Sequence, residues 1–123
     1  MTFQILVVDD NPTNLKLASD VLEMEGYSTI KAADAEEAQK ILEQTTPDLI
    51  LMDIALPGMD GLTLTRKLKA DERLRHVPVV ALTAFAMKGD DQKAIDAGCN
   101  GYITKPIDTR KLAQRVADFL KAR

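Results

Sequence analysis

Residues 48–61 read DLILMDIALPGMDG. The four apolar residues Leu49 to Met52 match a strand buried on both faces. That run nonetheless ends on the ionisable Asp53 and continues into a loop carrying Pro57, Gly58 and Asp60. A carboxylate is costly to bury without a partner, so Asp53 must serve something other than packing.

Working outward, comparable apolar runs stand at Ile5–Val8 and Val77–Leu82, with weaker ones at Tyr27–Ala33 and Gly101–Thr104. Helical patterns lie between them. Leu15, Ala18 and Leu22 share one face, as do Ala35, Ala38 and Leu42, and Leu64 with Leu68. The last segment has an apolar stripe of Leu112, Val116, Phe119 and Leu120 opposite Arg110, Lys111, Gln114 and Arg115. Boundary residues agree with this parsing. Asn11 precedes Pro12 as a cap ahead of a first-turn proline, and Asp34 with Glu37 has capping-box spacing. Gly26 and Gly98 fall where the first and fourth helices should stop, and Asp108 is placed to cap the last. The window Lys88 to Lys93 (KGDDQK) has little apolar character, so the fourth helix is expected to be short, exposed and mobile. Alternating strands and helices predict an α/β fold: one (βα)5 domain over residues 1–123, a doubly wound parallel sheet of flavodoxin-like order 2-1-3-4-5.

Composition narrows the function. At 123 residues with a net charge of −3 and no basic cluster, the chain suits one domain and lacks a surface for neutralising nucleic-acid phosphates. The single cysteine, Cys99, excludes an intrachain disulfide framework, lacks the companions of a zinc site and reads as a small core residue. The N-terminal apolar run is too short for a signal or a membrane span, so a cytoplasmic protein is expected. His76, in the polar stretch RLRHVP, is expected to face solvent.

In open sheets of this order ligands bind beyond the carboxyl ends of the strands. Asp9 and Asp10 follow the first strand, Asp53 ends the third, Thr83 the fourth, and Lys105 the fifth, just before Pro106. All five positions reach one edge. Two carboxylates about 5 Å apart repel by roughly 3 kcal/mol at an effective dielectric of about 20, and Lys105 is one charge against three. A divalent cation would fill the shortfall, and an all-oxygen site with two or three carboxylates suits Mg²⁺. Metal, carboxylate, amine and hydroxyl are also the components of phosphoryl transfer, with Asp53 as the nucleophile. Taken singly, each residue has a plainer reading: a turn or cap for Asp9 and Asp10, a strand-end hydroxyl for Thr83, a surface charge for Lys105.

The acid pair in ILVVDDN, the aspartate in LILMDIALPGMDG, the threonine in VVALTA and the lysine in GYITKP together resemble the CheY-like receiver domain of bacterial response regulators. The segment TAFAMKGD further resembles single-domain regulators of the DivK type. This resemblance implies a phosphorylation switch in two-component signalling. Asp53 would accept the phosphoryl group from a histidine kinase or histidine phosphotransfer protein. Asp10, Asp53 and the Ala55 carbonyl would ligate Mg²⁺ directly, and Asp9 mainly through water. Lys105, Thr83 and the Ala84 N–H would hold phosphoryl oxygens, while Thr83 and Tyr102 would move as the switch. The Lys105–Pro106 bond is expected to be cis. A downstream protein would bind the face of the fourth helix, fifth strand and fifth helix, with no role for nucleic acid or membrane. Ala55 and Phe85 resemble variable positions beside the acyl phosphate, and neither offers a polar side chain to position water. Slow phosphate loss is expected.

Such a protein catalyses only its own phosphorylation and dephosphorylation. Two alternatives differ in class. An Mg²⁺-dependent aspartyl-phosphate hydrolase would carry DxDx[TV], whereas Ile54 and Ala55 follow Asp53; a nucleotide- or flavin-binding module would carry GxGxxG or GxxxxGK[ST], and neither occurs. A receiver excised from a hybrid histidine kinase is a third option, against which the Met start and the finish just past the fifth helix are expected of a whole protein.

Overall fold

The computed structural model describes residues 2–54, 56, 58–83, 90–104 and 108–121, with residues 83, 90 and 91 described in their backbone alone. Among them the order is β1 (Gln4–Val8), α1 (Pro12–Met24), β2 (Ser28–Ala32), α2 (Ala35–Gln44), β3 (Leu49–Asp53), α3 (Gly61–Ala70), β4 (Val79–Thr83), α4 (Asp90–Ala97), β5 (Gly101–Thr104) and α5 (Thr109–Lys121). The strands form one parallel sheet in the order β2-β1-β3-β4-β5. This is the α/β, flavodoxin-like architecture expected from the alternation of apolar runs.

Side chains of successive strand residues point to opposite faces, so each continuous apolar strand feeds two cores. Ile5, Val7, Leu49, Leu51, Val80 and Leu82 pack with Ala18 and Leu22 of α1 and Leu112, Val116 and Leu120 of α5. Leu6, Val8, Ile50, Met52, Val79 and Ala81 pack with Ala38 and Leu42 of α2, Leu64 and Leu68 of α3 and Ala94 of α4. Every residue of β3 is buried, which is why that strand shows no polar alternation.

Local capping chemistry starts the helices. The Asn11 side chain accepts the Thr13 and Asn14 N–H groups, Asp34 accepts that of Glu37, and Asp108 accepts those of Arg110 and Lys111. Asp60, whose neighbours Pro57 and Gly58 suggest only a loop, caps α3 by accepting the Thr63 N–H at 2.8 Å. Gly26 and Gly98 lie at φ of 94° and 107°, the left-handed backbone that ends α1 and α4. At eight residues α4 is short, as expected; it exposes Ile95 but buries Ala94 and Ala97, so only one face is open. His76 is exposed.

Several ties between distant segments have no counterpart in the sequence pattern. The Lys69 ammonium at the end of α3 donates to the Val77 carbonyl at 2.9 Å and to Asn100 Oδ1 at 3.1 Å, and Asn100 Oδ1 also accepts the Val79 N–H. Burial lowers the Lys69 pKa. Arg73 donates to Thr46 Oγ1 and to the Leu42 carbonyl, satisfying an acceptor at the end of α2.

Candidate functional site

The last registered pair between β1 and β3 is Val8 with Met52. One step further along both chains come Asp9 and Asp53. Neighbouring strands lie about 4.8 Å apart, so this register brings two carboxylates side by side at the end of the sheet. Asp9 is 1% exposed and Asp53 is 3% exposed. Asp10 turns outward and is exposed, yet each of the three acids offers a carboxylate oxygen within 4.8 Å of the others.

Local backbone geometry holds the pair in place. The Asp9 N–H donates to the Ala32 carbonyl at the end of β2, and Asp9 Oδ1 accepts the Asn11 N–H at 2.9 Å. This Asx turn bends the chain from β1 into α1 and fixes the Asp9 carboxylate. On the other side, the Ile54 N–H donates to the Leu82 carbonyl, continuing the β3–β4 ladder past Asp53. From the sequence pattern Asn11 is legible only as a helix cap. The run Asp-Asp-Asn contained the signal for its second task, since an Asx turn needs only an N–H two residues on.

Thr83 ends β4, paired with Thr104 of β5, one step past the Asp53–Leu82 pair. Its backbone therefore reaches the same edge. The Thr83 side chain, Ala55, Ala84, Phe85, Lys105 and the Lys105–Pro106 bond lie outside the described residues. Tyr102 sits on β5 with 37% exposure, and its carbonyl accepts from Arg115, whose guanidinium also lies 5.6 Å from the Phe119 ring centre. Cys99 is buried, as expected, and donates weakly to Thr65 Oγ1; burial pushes its thiol pKa up, which suits a core residue rather than a nucleophile.

Three carboxylates this close repel one another strongly unless a cation lies among them. Their donor set is hard oxygen from the ends of two neighbouring strands, open to water on the Asp10 side. Such a set fits Mg²⁺, which keeps several waters and needs only one or two carboxylates.

A family model described as the response regulator receiver domain matches residues 5–117. The chain is 46% identical over 120 residues to the polar-differentiation response regulator DivK of Brucella ovis, covering 98% of each chain. Among solved structures, it is similar to the receiver domain of a signal transduction histidine kinase from Syntrophus aciditrophicus (TM-score 0.91, 36% identity, covering 98% of this chain and 92% of that one). It is equally similar in sequence to the receiver domain of a sensor histidine kinase from Pseudomonas aeruginosa, solved with a magnesium ion coordinated in the active-site cleft (TM-score 0.90, 36% identity, covering 98% and 99%). No described helix is long and apolar enough to cross a membrane.

Proposed function

The chain belongs to the response regulator receiver domain family, and from that membership we propose that it is a DivK-like single-domain switch whose Asp53 is the phosphoacceptor. One observation carries the reading: Asp9 and Asp10 just past β1 and Asp53 at the end of β3 bring carboxylate oxygens within 4.8 Å of one another. Asp10, Asp53 and the Ala55 carbonyl would hold Mg²⁺ directly, with Asp9 holding it through water. When bound, the ion neutralises charge on the carboxylates and on the incoming phosphoryl oxygens.

An Asp53 oxygen attacks the phosphorus of a phosphohistidine. The new O–P bond forms as the N–P bond breaks, and the imidazole leaves with that bond's electron pair. Lys105 supplies a point charge to one phosphoryl oxygen, and the Thr83 hydroxyl and Ala84 N–H hold others. A histidine kinase or phosphotransfer protein is the donor, and the chain acts catalytically only on its own phosphorylation and dephosphorylation. Output passes through Thr83 and Tyr102 to the α4–β5–α5 face. There Tyr102, Lys111 and Arg115 line one groove suited to a protein target. The cytoplasm is the compartment this pairing requires.

Intact mass after incubation with acetyl phosphate and Mg²⁺ tests the assignment. The parent is expected to gain one phosphate, and neither Asp53→Asn nor the parent in EDTA should gain any. A phosphorylated Asp53→Asn chain would move the acceptor elsewhere. Sustained turnover of a phosphomonoester would instead favour the hydrolase class. The apolar side chains of Ala55 and Phe85 cannot position an attacking water, so the phosphorylated parent should decay slowly, and a polar residue at either position should hasten decay. Unchanged decay in both variants would remove that explanation.

A further inference from the structure

The start of α3 approaches the end of β3 more closely than a side chain permits. The Gly61 N–H donates to the Ile54 carbonyl at 3.3 Å. A Cβ added at Gly61 would run into the Asp53 carbonyl oxygen and lie within 2.9 Å of the Asp53 carbonyl carbon and of the Ile54 α-carbon. The three nearest atoms are all backbone, so no side-chain rotation relieves the conflict. Either α3 retreats or the end of β3 moves. The first option is opposed from within α3. Buried Thr65 donates its hydroxyl to the Gly61 carbonyl at 2.7 Å, and Leu64, one turn into the helix, is fully buried in the core. The Asp60 cap holds the same turn from its other end.

We propose that Gly61 is a positioning residue for Asp53: its bare α-carbon lets α3 brace the β3 terminus at the spacing that keeps the Asp53 carboxylate beside Asp9 and Asp10. Rigid support behind a ligand commonly governs metal affinity. The bracing acts on the backbone of Asp53 itself, so a shift there carries the carboxylate with it. The capping and packing of α3 would remain intact while the triad opened. This inference rests on the Mg²⁺ reading above and adds to it the element that sets the triad's spacing.

The test is a Mg²⁺ titration followed by calorimetry, alongside unfolding in EDTA and intact mass after acetyl phosphate. Gly61→Ala is expected to bind Mg²⁺ about tenfold more weakly than the parent and to gain phosphate more slowly. Leu68→Ala, two turns further along α3, should lower stability without changing Mg²⁺ affinity. Parent chain that takes up no Mg²⁺ would overturn the metal reading and this inference together. Parent that binds while Gly61→Ala binds equally well would overturn this inference alone, as would equal weakening in Leu68→Ala. Should Gly61→Ala fail to fold, Thr65→Val keeps the buried volume but drops the hydroxyl that holds the Gly61 carbonyl. It is expected to weaken Mg²⁺ binding about threefold, with Thr65→Ser restoring it. Binding unchanged in Thr65→Val would then overturn the proposal.

Discussion

In magnesium-free buffer, Asp53→Asn is expected to be more stable than the parent by about 2 kcal/mol, measured as a higher urea midpoint at unchanged slope. Removing an acid normally costs a folded protein something, so the sign is the informative part. Asp53 and Asp9 are both buried, with oxygens within 4.8 Å. A pair of charges at that distance repels by roughly 3 kcal/mol at an effective dielectric of about 20, and other polar interactions of Asp53 offset some of this. Asp10 is exposed and contributes less, because water screens it. Asparagine keeps the shape and hydrogen-bonding capacity of Asp53 without its charge. Adding Mg²⁺ should reverse the order, since ligand at a hundredfold over its dissociation constant stabilises the parent by about 2.7 kcal/mol. A variant less stable than the parent in EDTA would show that the three acids do not strain the apo fold.

Leu51→Ala should cost about 3 kcal/mol, a large share of the roughly 5–15 kcal/mol available to a domain of this kind. Leu51 is fully buried at the middle of the central strand and packs in the cluster that joins β1 and β4 to α1 and α5. Strand neighbours on both sides prevent collapse into the space it leaves. Met24 is the contrasting case: 86% exposed at the end of α1, it should change stability by less than about 0.5 kcal/mol when replaced by alanine. Urea unfolding of the two variants checks both values. Equal effects would mean that the sheet is not sandwiched as described.

The elements most legible in the sequence were those set by short-range rules. Continuous apolar runs marked β1, β3 and β4, and the stripe Leu112, Val116 and Leu120 marked α5, because burial imposes a period that neighbouring residues display together. The caps Asn11, Asp34 and Asp108 were equally readable, since each bonds to a backbone N–H two or three residues away. Asp60 belongs to the same class, but Pro57 and Gly58 in the preceding loop carry turn signals that mask the cap. By contrast, the Lys69 and Asn100 ties span 31 residues, and Cys99 reaches Thr65 across 34. No local pattern encodes a partner that far away.

The candidate site divides along the same line. Sequence alone determined that acids stand at the ends of two strands, and the strand order then placed them on one edge. Only the tertiary structure decided their separation, because parallel register sets Asp9 level with Asp53, and the close approach of Gly61 to the β3 backbone depends on how α3 docks. Residue types and periodicity report what a position prefers, whereas a distance between two strand ends follows from packing of the whole sheet and its helices.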